Sequence, residues 1–164
     1  MPIIRSTTQL NAPISRVFDL ARSIDAHIES ASQTNERAIA GRTSGLIEHY
    51  ETVTWEAKHF GIRQQLTGQI TEFDRPNMFT DEMLSGAFKQ LRHVHRFRAI
   101  SEAQTQMDDE LHILAPLGLL GRLAEVTFLN AYMKRFLEGR NQILKEIAES
   151  DRWMQYLQDD IPLI

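Results

Sequence analysis

The chain has 164 residues, of which 42% are hydrophobic and 24% charged, and its formal net charge is −4. This length and composition are typical of one globular domain and exclude a disordered or low-complexity chain. Because cysteine is absent, disulfides and thiolate chemistry are excluded, and the acidic balance argues against a surface that follows nucleic-acid phosphates.

The hydropathy pattern predicts a cytoplasmic protein. The apolar runs fall well short of the roughly 18 residues that a membrane-spanning helix needs, and residues 1–5 do not begin a signal peptide. We therefore expect no integral membrane contact and no nucleic-acid partner.

The N-terminal segment predicts one strand followed by two short helices. Residues 3–10 are rich in β-branched side chains, which favours a strand. Asn11 is a candidate helix cap, and Pro13 suits the first turn of an amphipathic helix of about three turns over residues 14–24. Asp25 is predicted to cap the second helix.

Residues 38–113 predict six further strands, because polar and apolar side chains alternate along most of this segment. Side chains two apart in a strand point to the same face of the sheet. The alternation therefore gives four groups that each share a face: Val53, Trp55, Ala57 and His59; Phe79, Asp81 and Met83; Leu91, His93, His95 and Phe97; and Met107, Asp109, Leu111 and Ile113.

The C-terminal third predicts one long helix from Gly118 to Glu149, because apolar residues recur there every three or four positions and no proline interrupts them. This apolar stripe has one gap of seven residues, over Gly139 and Arg140. Beyond the helix, the spacing of Trp153, Tyr156 and Leu157 predicts a helical extension with an apolar edge. Three interpretations of that edge stay open: a contact site for a partner, packing against the domain, and a contact within a homodimer.

The predicted order is one strand, two helices, six strands and a helix. Short connections between consecutive strands favour antiparallel pairing, and the long helix has only the sheet against which to bury its apolar stripe. A sheet that curves around this helix can leave a space between the two.

Several segments carry a resemblance to known proteins: Asn11-Ala12-Pro13 with Val17-Phe18, and residues 40–45, 53–61, 74–76, 86–88, 93–97 and 116–123. They resemble the START-related SRPBCC superfamily, which includes polyketide cyclase/dehydrase-like proteins, and in particular a bacterial subgroup of ligand-binding members. The resemblance implies an α+β helix-grip fold: a curved seven-stranded antiparallel sheet wrapped around a long C-terminal helix, with two short helices after the first strand. It implies a START-like ligand-binding domain over residues 1–149 and a separate tail over residues 150–164.

Five polar side chains are predicted to point from the sheet toward the helix: His59, His93, His95, Asp81 and Asp109. A buried polar group is costly unless it is paired, so one interpretation is a structural network of His–Asp hydrogen bonds. A second is that these groups anchor a mostly apolar ligand. A third is chemistry, with a metal held by His93 and His95 together with His59 or a carboxylate, or with a His–Asp pair acting as a general base. We predict no metal and no cofactor.

The predicted pocket wall is apolar and largely aromatic. For Trp55 and Phe97, ordinary core filling is the favoured interpretation and a pocket wall the alternative, since aromatic side chains dominate protein cores. The wall residues predicted from strand faces and the helical stripe are Val53, Trp55, Leu66, Phe79, Leu91, Phe97, Leu111, Phe128 and Tyr132.

The leading hypothesis for function is binding, without catalysis, of a small and largely apolar molecule such as a lipid, an isoprenoid or a polyketide. One alternative is a cyclase or dehydratase that uses His93, His95 or Asp109 as acid or base. Another alternative is a protein-interaction module, and a homodimer is left open. Fold alone does not decide between these classes.

Overall fold

The computed structural model describes residues 2–157, apart from the side chain of Val126. Its strands are β1 (Ile3–Leu10), β2 (Arg37–Gly41), β3 (Thr52–His59), β4 (Ile62–Asp74), β5 (Met78–Ser85), β6 (Gln90–Ser101) and β7 (Gln104–Leu114). Its helices are α1 (Ile14–Ala21), α2 (Ile24–Ser30), α3 (Gly118–Ala124), α4 (Asn130–Glu149) and the short α5 (Met154–Leu157).

The seven strands form one antiparallel sheet in the order β1-β7-β6-β5-β4-β3-β2. Strands consecutive from β2 to β7 are neighbours, as their short connections predict. Only the step from β1 to β2 crosses from one edge of the sheet to the other, and α1 and α2 lie within it. The predicted α+β helix-grip architecture is confirmed.

The two short helices begin differently from the prediction. Helix α1 has Pro13 rather than Asn11 at its N-cap and ends at Ala21, so it is shorter than three turns. The backbone N–H of Asn11 instead donates to Glu149 at 2.7 Å, which ties the end of β1 to the end of α4. Asp25 is also not a cap.

Ser23 is the N-cap of α2, and its hydroxyl accepts from the backbone N–H of Ala26 at 3.2 Å. Asp25 lies in the first turn of α2, and its carboxylate accepts from the backbone N–H of Gly45 at 2.9 Å. A carboxylate in a first helical turn is favoured by the helix dipole, which explains the acidic residue there without a capping role.

The predicted helix over residues 118–149 is present, and a π-helical segment, Glu125–Leu129, joins α3 to α4. The first turn of α3 requires glycine at position 121, because an added Cβ there would lie 2.0 Å from the carbonyl oxygen of Pro116. Glu125 is buried and accepts from the backbone N–H of Ala115 at 2.7 Å, so the helix is fastened to the end of β7.

Two apolar clusters form the core. In the first, α1 packs on the sheet, and the ring of Phe18 lies 5.5, 5.5 and 5.2 Å from the rings of Phe73, Phe79 and Phe97. In the second, Leu129, Met133 and Leu137 of the long helix pack near β7 residues such as Leu111.

The described part of the tail packs back on the domain. The guanidinium of Arg16 lies over the ring of Trp153, with its Cζ atom 4.1 Å from the centroid of that ring. Leu157 is buried in the first cluster. Residues 158–164 of the predicted tail lie outside the described residues, and the boundary at residue 149 stays a prediction. Within residues 2–157, no helix is long and apolar enough to cross a membrane.

Candidate functional site

A cavity of about 440 Å³ lies between the sheet and the long helix. Members of both core clusters line it, so the two clusters enclose it rather than fill it. The predicted wall residues that line it are Val53, Trp55, Leu66, Phe79, Leu91, Leu111, Phe128 and Tyr132.

Phe97 is placed elsewhere. It is buried in the first core cluster, where its ring packs against Phe18 and Phe79, and it does not line the cavity. It shares a strand face with His93 and His95 but lies further along β6, under α1. Alternation fixes the face of a strand and not the position along it, which is why the sequence left both interpretations of Phe97 open.

Sequence reasoning missed wall residues that come from turns and helices. Phe60 lies in the β3–β4 turn and Phe88 in the β5–β6 connection, where no periodicity marks the inner side. Helices α2 and α4 contribute Ile24, Met133 and Phe136. Of these residues, only Met133 and Phe136 could have been predicted from the sequence, because the apolar stripe of the long helix has to face the sheet.

One buried carboxylate, Asp109, organises the polar end of the cavity. Its Oδ1 atom lies 2.9 Å from Nε2 of His93 and 2.8 Å from Nδ1 of His95. Its Oδ2 atom accepts from the side-chain amide of Asn141 in α4 at 2.7 Å. Asp109 is only 2% exposed and lies behind the two histidines, so it does not itself line the cavity.

His95 is held between two carboxylates. Its Nδ1 atom faces Asp109 at 2.8 Å and its Nε2 atom faces Asp81 at 3.1 Å. Burial lowers the pKa of His95, but hydrogen bonds to both carboxylates and their charges outweigh burial and raise its pKa to about 9. At neutral pH it is therefore an imidazolium that donates both N–H groups.

The pKa of His93 is shifted in the opposite direction from that of His95. Burial and the positive charge of His95 lower its pKa and outweigh the hydrogen bond to Asp109. It is therefore neutral at neutral pH, and its Nε2–H donates to the carboxylate. The two rings are tilted with centroids 3.8 Å apart, so the cavity presents a neutral imidazole next to a protonated one. Burial raises the pKa of Asp109, but bonds to both histidines prevail and lower it.

A second polar group lies on the side of α2. The guanidinium of Arg140 donates through Nη2 to Nδ1 of His27 at 2.7 Å, so the other ring nitrogen, Nε2, carries the proton and donates to Glu36 at 2.5 Å. Burial and the charge of Arg140 lower the pKa of His27, although Glu36 opposes them. His27 also stacks on Trp55 with centroids 4.1 Å apart.

Arg140 lines the cavity, and its buried Nε atom has no hydrogen-bond partner within residues 2–157. Sequence reasoning missed this residue as part of the site. The signal was the gap over Gly139 and Arg140 in the apolar stripe, because a cation replaces an apolar side chain on the helix face toward the sheet.

His59 stands apart from the other predicted polar groups. Its Nδ1 atom lies 2.8 Å from the hydroxyl of Tyr132, and its ring packs edge-on against Phe136 at 5.5 Å. Burial lowers its pKa. It lines the cavity near the β3–β4 turn, among aromatic side chains.

Asp81, His93 and His95 also offer a set of metal ligands, with donor atoms that all lie within 4.8 Å of one another. Two imidazoles and a carboxylate suit several divalent transition metals. His95, however, would first have to release the proton that Asp81 and Asp109 stabilise. The absence of a metal therefore stays a prediction, while the hydrogen-bonded network is directly visible.

Comparison with solved structures gives likeness over nearly the whole chain at low sequence identity. A Thermus thermophilus protein, TTHA0849, is 18% identical with a TM-score of 0.73, covering 94% of this chain and 98% of that chain. A START superfamily protein from Mycobacterium smegmatis is 10% identical with a TM-score of 0.69, covering 90% and 97%. The di-domain ARO/CYC StfQ of the steffimycin biosynthetic pathway is 16% identical with a TM-score of 0.60, covering 89% of this chain and 44% of that chain.

Neither a scan against protein-family models nor a search of curated proteins finds a match. At these identities the structural likeness establishes the fold. The chain has the helix-grip fold of the START-related proteins that its sequence resembles.

Proposed function

We propose that this protein binds a small, largely apolar molecule in the cavity between the sheet and the long helix. The observation that carries the proposal is the cavity of about 440 Å³ with its mainly aliphatic and aromatic wall. Pockets for small organic molecules typically measure about 300–1,000 Å³ and combine such a wall with a few polar groups. A lipid, an isoprenoid or a polyketide-like compound fits this description.

Polar side chains in the cavity wall favour a ligand that carries an oxygen atom. Arg140 lines the cavity together with His93 and His59, two histidines whose pKa is lowered by burial. A hydrogen bond to a charged group contributes about 1.5–3 kcal/mol, so a ligand carbonyl or hydroxyl that accepts from one of these side chains would gain affinity. We therefore expect an apolar molecule with at least one acceptor oxygen.

The test is titration with N-phenyl-1-naphthylamine, an uncharged probe whose fluorescence rises in apolar surroundings. Ala57→Phe adds a ring to the cavity wall, while Ala103→Phe adds the same ring at an exposed turn. We expect the first change to abolish probe binding and the second to leave it unchanged. Equal binding by both variants, with unchanged thermal melting, would refute binding in the cavity.

A second candidate function, acid–base catalysis, is favoured by the paired protonation states of His93 and His95. The neutral His93 can accept a proton from a carbon between two carbonyls. Both N–H groups of His95 are bonded to carboxylates, so to protonate the attacked carbonyl oxygen, as an intramolecular aldol cyclisation requires, its Nε2–H would have to leave Asp81 for that oxygen. Likeness to the ARO/CYC protein StfQ supports this candidate through the fold alone.

The two candidates separate in one assay. A linear triketone that cyclises slowly in water is incubated with the protein, and cyclisation is followed by absorbance. Catalysis predicts acceleration that His93→Ala abolishes. Binding alone predicts no acceleration, and His93→Ala then changes only the affinity for the probe.

A further inference from the structure

An exposed apolar surface surrounds one end of the cavity. We call it the mouth patch and define it as Leu117, Leu119, Leu120, Leu123 and Phe128 of the helical segment together with Phe60 and Ile62 of the β3–β4 hairpin. Each of these side chains is more than half exposed, and Leu119 reaches 81%. Contiguous apolar surface of this kind is uncommon on a protein that contacts only water.

The mouth patch is continuous with the cavity wall. Phe60, Leu117, Leu120 and Phe128 line the cavity and are also exposed, so they lie at its rim. The ring of Phe60 lies 5.7 Å from that of Phe128 and 4.5 Å from that of Tyr132, which brings the hairpin and the helix together.

The leucines of α3 are not needed by the core. Gly121 is the buried residue of this helix and faces the carbonyl of Pro116. At about 100° per residue, Leu119 and Leu123 lie on the side opposite Gly121, and they point away from the domain. Leu119 and Leu123 are 81% and 61% exposed, so they add little to the packing of residues 2–157, and this indicates an external contact.

The exposed charges around the mouth patch are mainly basic. The three segments that form the rim, residues 57–63, 84–91 and 115–124, contain Lys58, Arg63, Lys89 and Arg122 and no acidic residue. The chain as a whole has a net charge of −4, so positive charge is concentrated at this end. All four basic side chains are exposed, and Glu56 offsets the charge of Arg63, which leaves Lys58, Lys89 and Arg122 as the basic residues of the rim.

We propose that the mouth patch docks on the surface of an anionic lipid membrane. Exposed leucine and phenylalanine side chains enter the boundary between headgroups and acyl chains, and nearby basic side chains bind anionic headgroups. A second copy of the chain fits less well, because a two-fold contact would bring the four basic residues of each copy together. Docking here places the cavity mouth against the bilayer, from which an apolar ligand can enter without crossing water.

Membrane docking goes beyond the proposed function, although Phe60, Leu117, Leu120 and Phe128 belong both to the mouth patch and to the cavity wall. It is tested by flotation of the purified full chain with vesicles of phosphatidylcholine alone and of equal parts phosphatidylcholine and phosphatidylglycerol. The test variant is the double change Leu119→Asp and Leu123→Asp, and the matched control is Ile100→Asp at the other end of the sheet. All these side chains are exposed, so folding is preserved, and circular dichroism checks it.

We expect flotation with the anionic vesicles only, with partition reduced at least about tenfold by the double change and unaltered by Ile100→Asp. Arg122→Glu should also reduce partition onto the anionic vesicles, and the reduction should be larger at low salt than at high salt. No flotation, or equal flotation with neutral vesicles, would overturn the proposal. A dimer that the double change dissociates, or a purified acidic protein that binds the patch in preference to vesicles, would also overturn it.

The flotation experiment and the probe titration can fail independently of each other. The probe titration reports the cavity, which the changes at Leu119 and Leu123 do not touch, since neither residue lines it. Loss of flotation with retained probe binding supports docking at the patch. Probe binding without any flotation of the unmodified protein refutes docking and leaves cavity binding intact.

Discussion

His93 and His95 donate to the same oxygen of Asp109, at 2.9 and 2.8 Å. One carboxylate thus fixes the orientation of two neighbouring imidazoles, and Asn141 fixes the carboxylate from the long helix. This arrangement joins β6, β7 and α4 at the polar end of the cavity. It makes Asp109 a positioning residue, which acts on a ligand only through the two histidines.

Asp109→Asn should destabilise the fold strongly. Removing the carboxylate leaves the protonated His95 with only Asp81 in a buried setting, and breaking a buried pair typically costs about 3–5 kcal/mol. Urea unfolding followed by circular dichroism measures the change. Glu102→Gln, at an exposed turn, is the control and should alter stability by less than about 0.5 kcal/mol. Similar stabilities of the two variants would contradict the role assigned to Asp109.

Stability should fall as the pH rises toward 9. The pKa of His95 is about 9 in the folded chain and 6.5 ordinarily, so the folded state binds this proton more tightly than the unfolded state does. The contribution is fully present below pH 6.5 and is lost as the pH rises through about 9, each pKa unit corresponding to about 1.4 kcal/mol.

The measurement is urea unfolding between pH 6 and pH 10 for the unmodified chain and for His95→Gln, which keeps hydrogen-bonding capacity and lacks the charge. The unmodified chain should lose stability relative to the variant across this range. Parallel curves would show that His95 does not carry a raised pKa.

Two glycines of the long helix should respond in opposite directions to alanine. At Gly121 the new methyl group would meet the carbonyl oxygen of Pro116 at 2.0 Å, so we expect destabilisation by about 1–3 kcal/mol. At Gly139 nothing lies within 4 Å of the new atom, and alanine should stabilise the helix by up to about 1 kcal/mol. Thermal melting of the two variants should therefore move to lower and higher temperature respectively. A shift of the same sign in both would contradict the close contact at Gly121.

Arg140→Met should lower the affinity for a ligand that carries an oxygen and leave the affinity for a hydrocarbon nearly unchanged. A hydrogen bond from a charged donor contributes about 1.5–3 kcal/mol, so the change should weaken displacement of the naphthylamine probe by 2-dodecanone roughly tenfold or more. Displacement by dodecane should change little, because methionine keeps the apolar stem. Arg135→Met, on the exposed side of α4, is the control. Equal losses for ketone and hydrocarbon would indicate altered packing instead of a lost hydrogen bond.

The fold could be predicted from the sequence because strand alternation and helical spacing are strong local signals. The order of elements follows from short connections, and both are visible along the chain. Helix starts were predicted less well, since Ser23 and Asp25 are equally good caps by residue type and only tertiary contacts decide between them.

The candidate site could be predicted only in part. Alternation gave the face of His93, His95 and Asp81, and the structure places all three at the cavity. It could not give the depth of Phe97 or Asp109, because depth depends on which strands and helices cover each position. Arg140 and Phe60 come from a helix and a turn, whose distance from the sheet no local pattern encodes.

The most direct test of ligand binding in the cavity uses the two tryptophans, Trp55 in the wall and Trp153 in the tail. Single-tryptophan variants, Trp153→Phe and Trp55→Phe, are titrated with a bromine-labelled long-chain alcohol, which quenches only the indoles that it touches. We predict saturable quenching of Trp55 at one molecule per chain and none of Trp153. Equal quenching of both, or quenching of Trp153 alone, would contradict binding between the sheet and the helix.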